Sequence, residues 1–129
     1  MENKKKIAIY LDHLSANCIK YTNTAQLLKT IKLELNSFEK KKVLEKGESH
    51  LHNKEQHLQQ QFYKKISDCC VNFSTVVLFG PTTAKAELKT ILTNDNKFLR
   101  VDISLKITDK LKPKEQIDYV NNFFNNIEI

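Results

Sequence analysis

The sequence predicts one three-layer α/β domain, built on a mixed five-stranded sheet in the order βββαβαβα. Three observations carry this expectation. Two stretches within the first 35 positions alternate apolar and polar residues. A helical apolar stripe runs from Leu58 to Phe73, and the unbroken apolar run TVVLFG, residues 75–80, fits a strand covered on both faces.

The elements follow in chain order. KKIAIYLD, residues 5–12, is rich in β-branched and aromatic residues and reads as a strand. ANCIKYT, residues 16–22, and LLKTIKLEL, residues 27–35, alternate as strands exposed on one face do, and the short DHLS connection implies a hairpin. Three sequential antiparallel strands result. NSFEKKKVLEKGESHLHN, residues 36–53, is charge-rich and without a period, so it is expected to be a long basic loop.

A helix is expected from His52 onward. Its stripe is Leu58, Phe62, Ile66, Cys69 and Phe73, with Gln59, Gln60, Lys64 and Lys65 mostly outside it. The 75–80 strand ends at Gly80-Pro81, and Thr82 or Thr83 can cap the helix AKAELKTIL that follows. FLRVDISLKI, residues 98–107, alternates again. Pro113 suits a first helical turn, and Ile117, Val120 and Phe124 give the last helix its apolar face. A strand-helix-strand passage over residues 75–107 implies parallel neighbours. Three antiparallel strands feeding such a unit is the ribonuclease H-like order. No repeat or linker divides the chain, so residues 1–129 are expected to form a single domain.

Composition narrows the function classes. No apolar run reaches the roughly 18 residues that span a bilayer. The basic start MENKKK leads into an apolar segment that Asp12 and His13 interrupt, unlike a secretory leader, so a cytoplasmic location is expected. Cys18, Cys69 and Cys70 are odd in number and lack C-x-x-C spacing, which predicts buried or idle thiols. The net charge of +6 is unevenly placed: residues 1–65 hold 13 Lys/Arg against 7 Asp/Glu, and residues 66–129 hold 8 against 8. This asymmetry favours a polyanionic partner, RNA before membrane.

Four kinds of chemistry come into question. A two-metal nuclease needs converging carboxylates; Asp12 and Glu55 are available, but the strand ending VVLFGPTT offers no further acid. A zinc hydrolase would draw on His50, His52 and His57, yet His50 and His52 diverge if that segment is helical. FGPTTAK has too few glycines for a phosphate loop. Thr82, Thr83 and Lys85 are nevertheless candidate contacts for an isolated anion at the helix start. No neighbourhood favours a Ser or Cys nucleophile, and no catalytic residue, metal or cofactor is expected.

VVLFGPTTAKAELKTIL, preceded by NKEQHLQQQFYKKISD and followed by FLRVDISLKI and TDKLKPKEQIDYVNNFF, carries a family resemblance. It is similar to bacterial proteins resembling the middle domain of eukaryotic and archaeal peptide-chain release factors, which is related to the middle domain of Pelota. The resemblance implies a ribonuclease H-like fold and a translation-associated module that binds ribosome, tRNA or rRNA. Release factors carry Gly-Gly-Gln before the long helix. Here the region reads EKGESHLHNKEQH, with Gly47 followed by Glu48, so the resemblance implies no peptide-release activity. Pelota-like relatives also lack the tripeptide. The expected nucleic-acid contacts are Lys40, Lys41, Lys42, Lys46, His50, His52, Lys54, His57, Lys64 and Lys65. A protein-interaction module or homodimer using an exposed sheet edge is the alternative, ahead of a metal-dependent nuclease or hydrolase.

Overall fold

The structure, a computed structural model, describes residues 5–33 and 53–127. Its elements are β1 (Lys6–Leu11), β2 (Ser15–Tyr21), β3 (Ala25–Lys32), α1 (Asn53–Cys70), β4 (Thr75–Gly80), α2 (Ala84–Thr93), a 3₁₀ turn (Asn96–Phe98), β5 (Asp102–Ile107) and α3 (Pro113–Ile127). The strands form one sheet in the order β3-β2-β1-β4-β5. β2 pairs antiparallel with β1 and β3, while β4 pairs parallel with β1 and β5. The mixed five-stranded sheet and the order of elements agree with the sequence reading.

Alternation along the strands divides the interior into two cores. Ile7, Ile9, Leu11, Val76 and Leu78 face α1 and α2, which contribute Phe62, Tyr63, Ile66, Cys70, Ala84, Leu88 and Leu92. Ala8, Tyr10, Val77 and Phe79 face α3, which contributes Val120 and Phe124. The α3 side is aromatic: Tyr119 stacks on Phe79 at 4.7 Å and Tyr21 on Phe124 at 5.0 Å between centroids. Uncharged polar groups fasten the same helix. Asn121 Oδ1 accepts from the Ala25 amide at 2.7 Å, Tyr21 Oη donates to Asn125 Oδ1 at 2.5 Å, and Asn17 Nδ2 donates to Gln116 Oε1 at 2.8 Å.

Three elements differ from the sequence expectation. β3 does not bury one face and expose the other, because Gln26 through Thr30 are all exposed. Leu28 is a bulge: Leu27 pairs with Ile19 and Lys29 with Cys18, leaving Leu28 without a partner in the register. The extra residue reverses the phase, so odd-numbered Ala25 joins the α3 core while odd-numbered Ile31 joins the opposite one. β5 begins at Asp102 rather than residue 98, since the Asp95 side chain accepts from the Lys97 amide at 3.0 Å and holds Phe98 in the 3₁₀ turn. Gln59, expected mostly outside the stripe of α1, is buried.

The exits from α1 and β4 use special backbone geometry. Asn72 has φ +80° just after α1, where a left-handed residue closes a helix end. Gly80 ends β4 at φ +149°, and a β-carbon there would overlap the Leu11 carbonyl oxygen. Gly80→Ala therefore adds backbone strain and a steric clash with the neighbouring strand. It is expected to destabilise the fold by about 2 kcal/mol or more, read as a lower urea midpoint at unchanged slope.

Candidate nucleic-acid interface

β1, β3, β4 and β5 all point their carboxyl ends toward one end of the sheet. The β1–β2 turn, the start of α1, the start of α2 and the connection from β5 to α3 gather there, where open α/β sheets place their sites. The turn is built by Asp12, whose Oδ1 accepts from the amides of Leu14 at 2.7 Å and Ser15 at 2.9 Å. That carboxylate, considered in the sequence as a metal ligand, is engaged by its own backbone. Among the described residues no group of three His, Cys, Asp or Glu side chains could hold a metal ion.

Beside the turn lies a polar cluster that the sequence reading did not find. His13 is 2% exposed, and its Nε2 sits 3.1 Å from Glu87 Oε2 on α2. Tyr63 on α1 donates its hydroxyl to Glu87 Oε1 at 2.7 Å, and Gln59 Nε2 donates to the His13 carbonyl at 3.2 Å. The turn and both helices are thereby joined through one carboxylate. Gln59 Oε1 is buried and accepts no hydrogen bond from the described residues. The four residues are scattered along the chain, but Gln59, Phe62, Tyr63, Ile66 and Cys70 recur at helical spacing. A polar residue in phase with that stripe was the one available signal.

The expected contact residues fall into three groups. Lys40, Lys41, Lys42, Lys46, His50 and His52 lie outside the described residues, and Lys54 lies in the first turn of α1. His57, Lys64 and Lys65 are exposed along α1, with His57 Nε2 3.2 Å from Gln61 Nε2. Lys64 borders a shallow cleft of about 370 Å³ whose lining includes Asp68, Asp95 and Lys97, with Lys97 Nζ 3.8 Å from Asp95 Oδ2. Its field is therefore one of mixed sign. At the start of α2, Thr82 Oγ1 accepts from the Ala84 amide at 3.2 Å, while Thr83 makes no side-chain cap. Lys85 is buried; its Nζ donates to the Thr82 carbonyl at 2.5 Å, and burial lowers its pKa.

Charge counting also missed a basic group in the second half. Lys106, Lys110, Lys112 and Lys114 are exposed near the β5–α3 connection. A cleft of about 560 Å³ lies beside Lys110, Leu111, Lys112, Pro113 and Glu115, and Lys106 Nζ stands 5.6 Å from the Phe123 ring centroid. Asp109 and Glu115, interleaved with or adjoining them, and the other acids of residues 66–129 cancel these lysines in the sum and so hide their grouping.

No protein-family model and no curated protein matches the sequence. Solved structures do. Pelota from Archaeoglobus fulgidus is 9% identical, with a TM-score of 0.60, over 93% of this chain and 32% of that one. Pelota from Thermoplasma acidophilum is 12% identical, with a TM-score of 0.61, over 91% of this chain and 32% of that one. The archaeal translation termination factor aRF1 aligns at 14% identity and a TM-score of 0.48, over 94% of this chain and 39% of that one. The chain thus shares its fold with about a third of each Pelota chain.

The polar cluster gives a direct test of what Tyr63 contributes. Tyr63→Phe keeps the ring in the core but removes the donor to Glu87 Oε1, and it is expected to cost about 1 kcal/mol of stability by chemical denaturation. With Glu87→Gln as the second change, a double-mutant cycle should show a coupling energy distinguishable from zero.

Proposed function

We propose that this chain is a non-catalytic, cytoplasmic, translation-associated module of ribonuclease H-like fold. It is akin to bacterial proteins that resemble the middle domain of release factors and Pelota, and it binds ribosome, tRNA or rRNA. The observation that carries the reading is the fold shared with Pelota over more than nine tenths of the chain, in line with the sequence resemblance. Contacts are assigned to Lys40, Lys41, Lys42, Lys46, His50, His52, Lys54, His57, Lys64 and Lys65. The exposed lysines and His57 on α1 support this assignment. The turn of Thr82, Thr83 and Lys85 is a secondary anion contact, because the Lys85 amine would have to leave the Thr82 carbonyl first. Gly47-Glu48 in place of Gly-Gly-Gln supports binding without peptide release. No helix among the described residues is long and apolar enough to cross a membrane.

Lysine contacts to phosphate are sequence-independent and release counterions, so affinity should fall steeply with salt. The chain is expected to cosediment with ribosomes at low salt and to dissociate as salt rises. Replacing Lys64 and Lys65 by Glu should weaken binding and reduce the salt slope by about one for each phosphate that is no longer neutralised. No association with ribosomes, combined with no tRNA or rRNA binding at low salt, would overturn the proposal.

The edge strand favours a second reading. Leu27 and Leu28 on β3 are 55% and 48% exposed, and β3 ends the sheet order. Exposed apolar residues on an edge strand suit a protein partner or a second copy of this chain. Light scattering should then report a dimer that Leu27→Lys dissociates; a monomer at every concentration, with no captured protein partner, removes this reading.

A further inference from the structure

The connection from β5 into α3 is anchored at three points. The Thr108 amide donates to the Gly80 carbonyl at 3.2 Å, the Leu111 amide to the Tyr10 hydroxyl at 2.8 Å, and Gln116 Nε2 to the Leu111 carbonyl at 2.9 Å. Tyr10 and Gln116 are themselves buried, so the backbone of the connection is tied to the core while Lys106, Lys110, Lys112 and Lys114 stay exposed. Two acids share the segment, Asp109 and Glu115. Glu115 Oε1 accepts from the Lys112 amide at 2.7 Å and so closes the first turn of α3. Among the described residues no carboxylate forms an ion pair with any of the four amines. Lys112 and Lys114 also stand at the end of the helix whose dipole disfavours cations, so α3 gains no stability from their charge.

A row of rings ends beside these lysines. Phe79 and Tyr119 are inclined by 15° with centroids 4.7 Å apart, and Tyr119 and Phe123 by 13° at 6.3 Å. Phe123 closes the row half-buried, with Lys106 Nζ over its ring at 5.6 Å from the centroid. Lys106 pairs with Phe79 in the register, which places both on the α3 side of the sheet, across from α1.

We propose that this surface binds a single-stranded stretch of RNA, with phosphates on Lys106, Lys110, Lys112 and Lys114 and one base on Phe123. The inference rests on the RNA-binding reading and gives it a second surface, separate from the lysines of α1. Amines that neutralise the backbone and a ring that stacks on a base are the two parts of sequence-tolerant single-strand recognition. A base that takes the place of the Lys106 amine extends the row of rings, and the displaced amine is left free for a phosphate. The four residues from Lys106 to Lys110 span at most about 14 Å, roughly four steps of a strand whose phosphates advance about 3.4 Å each. A duplex keeps its bases stacked on one another and offers Phe123 none. A bilayer is disfavoured, because Ile107 is the one large aliphatic side chain of residues 106–114 that is exposed.

The test uses the full chain and a short fluorescein-labelled oligouridylate, read by anisotropy across a salt series. Replacing Lys110, Lys112 and Lys114 together by Ala is expected to weaken binding about tenfold or more and to flatten the salt slope by about two, at roughly 0.7 for each of three phosphates. Phe123→Leu should weaken binding about fivefold or more at an unchanged slope. Both effects should persist when Lys64 and Lys65 are Glu. The three lysines are exposed, so their variant keeps the test decisive even if Phe123→Leu fails to fold. Unchanged binding by the triple variant, with loss in the Lys64 and Lys65 variant, overturns the second surface and leaves the RNA-binding reading standing. So does failure to bind oligouridylate in a chain that still cosediments with ribosomes. Equal affinity for duplex RNA, or binding to phosphatidylserine vesicles in place of RNA, also overturns the proposal.

Discussion

The double pairing of β1 is the constraint on which the rest of the structure depends. Among the five strands, this one alone has an antiparallel neighbour on one side, β2, and a parallel one on the other, β4. Every residue from Ile7 to Leu11 is buried, odd positions against α1 and α2 and even positions against α3. The two cores therefore meet across one strand, and a shift of its register by one residue would exchange their side chains. Gly80 belongs to the same constraint, since β4 approaches the Leu11 carbonyl too closely for a β-carbon.

The parts of the fold that were legible in the sequence were those where one face of an element stays apolar. TVVLFG could hardly lie anywhere but the middle of a sheet, and Val120 and Phe124 marked the inner face of α3 correctly. What escaped depended on partners distant along the chain. The bulge at Leu28 exists only in relation to Cys18 and Ile19, and no composition rule marks it. His13 and Gln59 carry polar side chains that burial would penalise alone, and only their meeting with Glu87 and each other makes their positions intelligible. The lysines of residues 106–114 escaped notice because the charge of residues 66–129 was summed as a whole, with Asp109 and Glu115 among or beside them.

The two faces of the sheet are fastened by different chemistry. On the α1 and α2 side, a carboxylate gathers a histidine, a tyrosine and, through the histidine backbone, a glutamine, next to the turn that leads into β2. That arrangement fixes the angle at which α1 leaves the carboxyl end of the sheet. It thereby sets the orientation of His57, Lys64 and Lys65, which lie along the same helix. On the α3 side, stacked rings supply contact area and neutral groups supply direction, so the helix is held in register on β2 and β3 without an ion pair at Asn17, Asn121 or Asn125.

The reliance of α3 on asparagine has a consequence for chemical ageing. Asparagine side chains hydrolyse slowly to aspartate, which exchanges an amide nitrogen for an oxygen and leaves an acceptor-only group. Asn121 takes a backbone amide through its oxygen, and Asn125 takes the Tyr21 hydroxyl in the same sense. Either can become aspartate with its bond to the sheet intact. Asn17 cannot, because it reaches Gln116 through the nitrogen that deamidation removes. Ageing at Asn17 would therefore remove one polar tie between β2 and α3 while that of Tyr21 to Asn125 persists, a loss that starts from the sheet rather than from the helix.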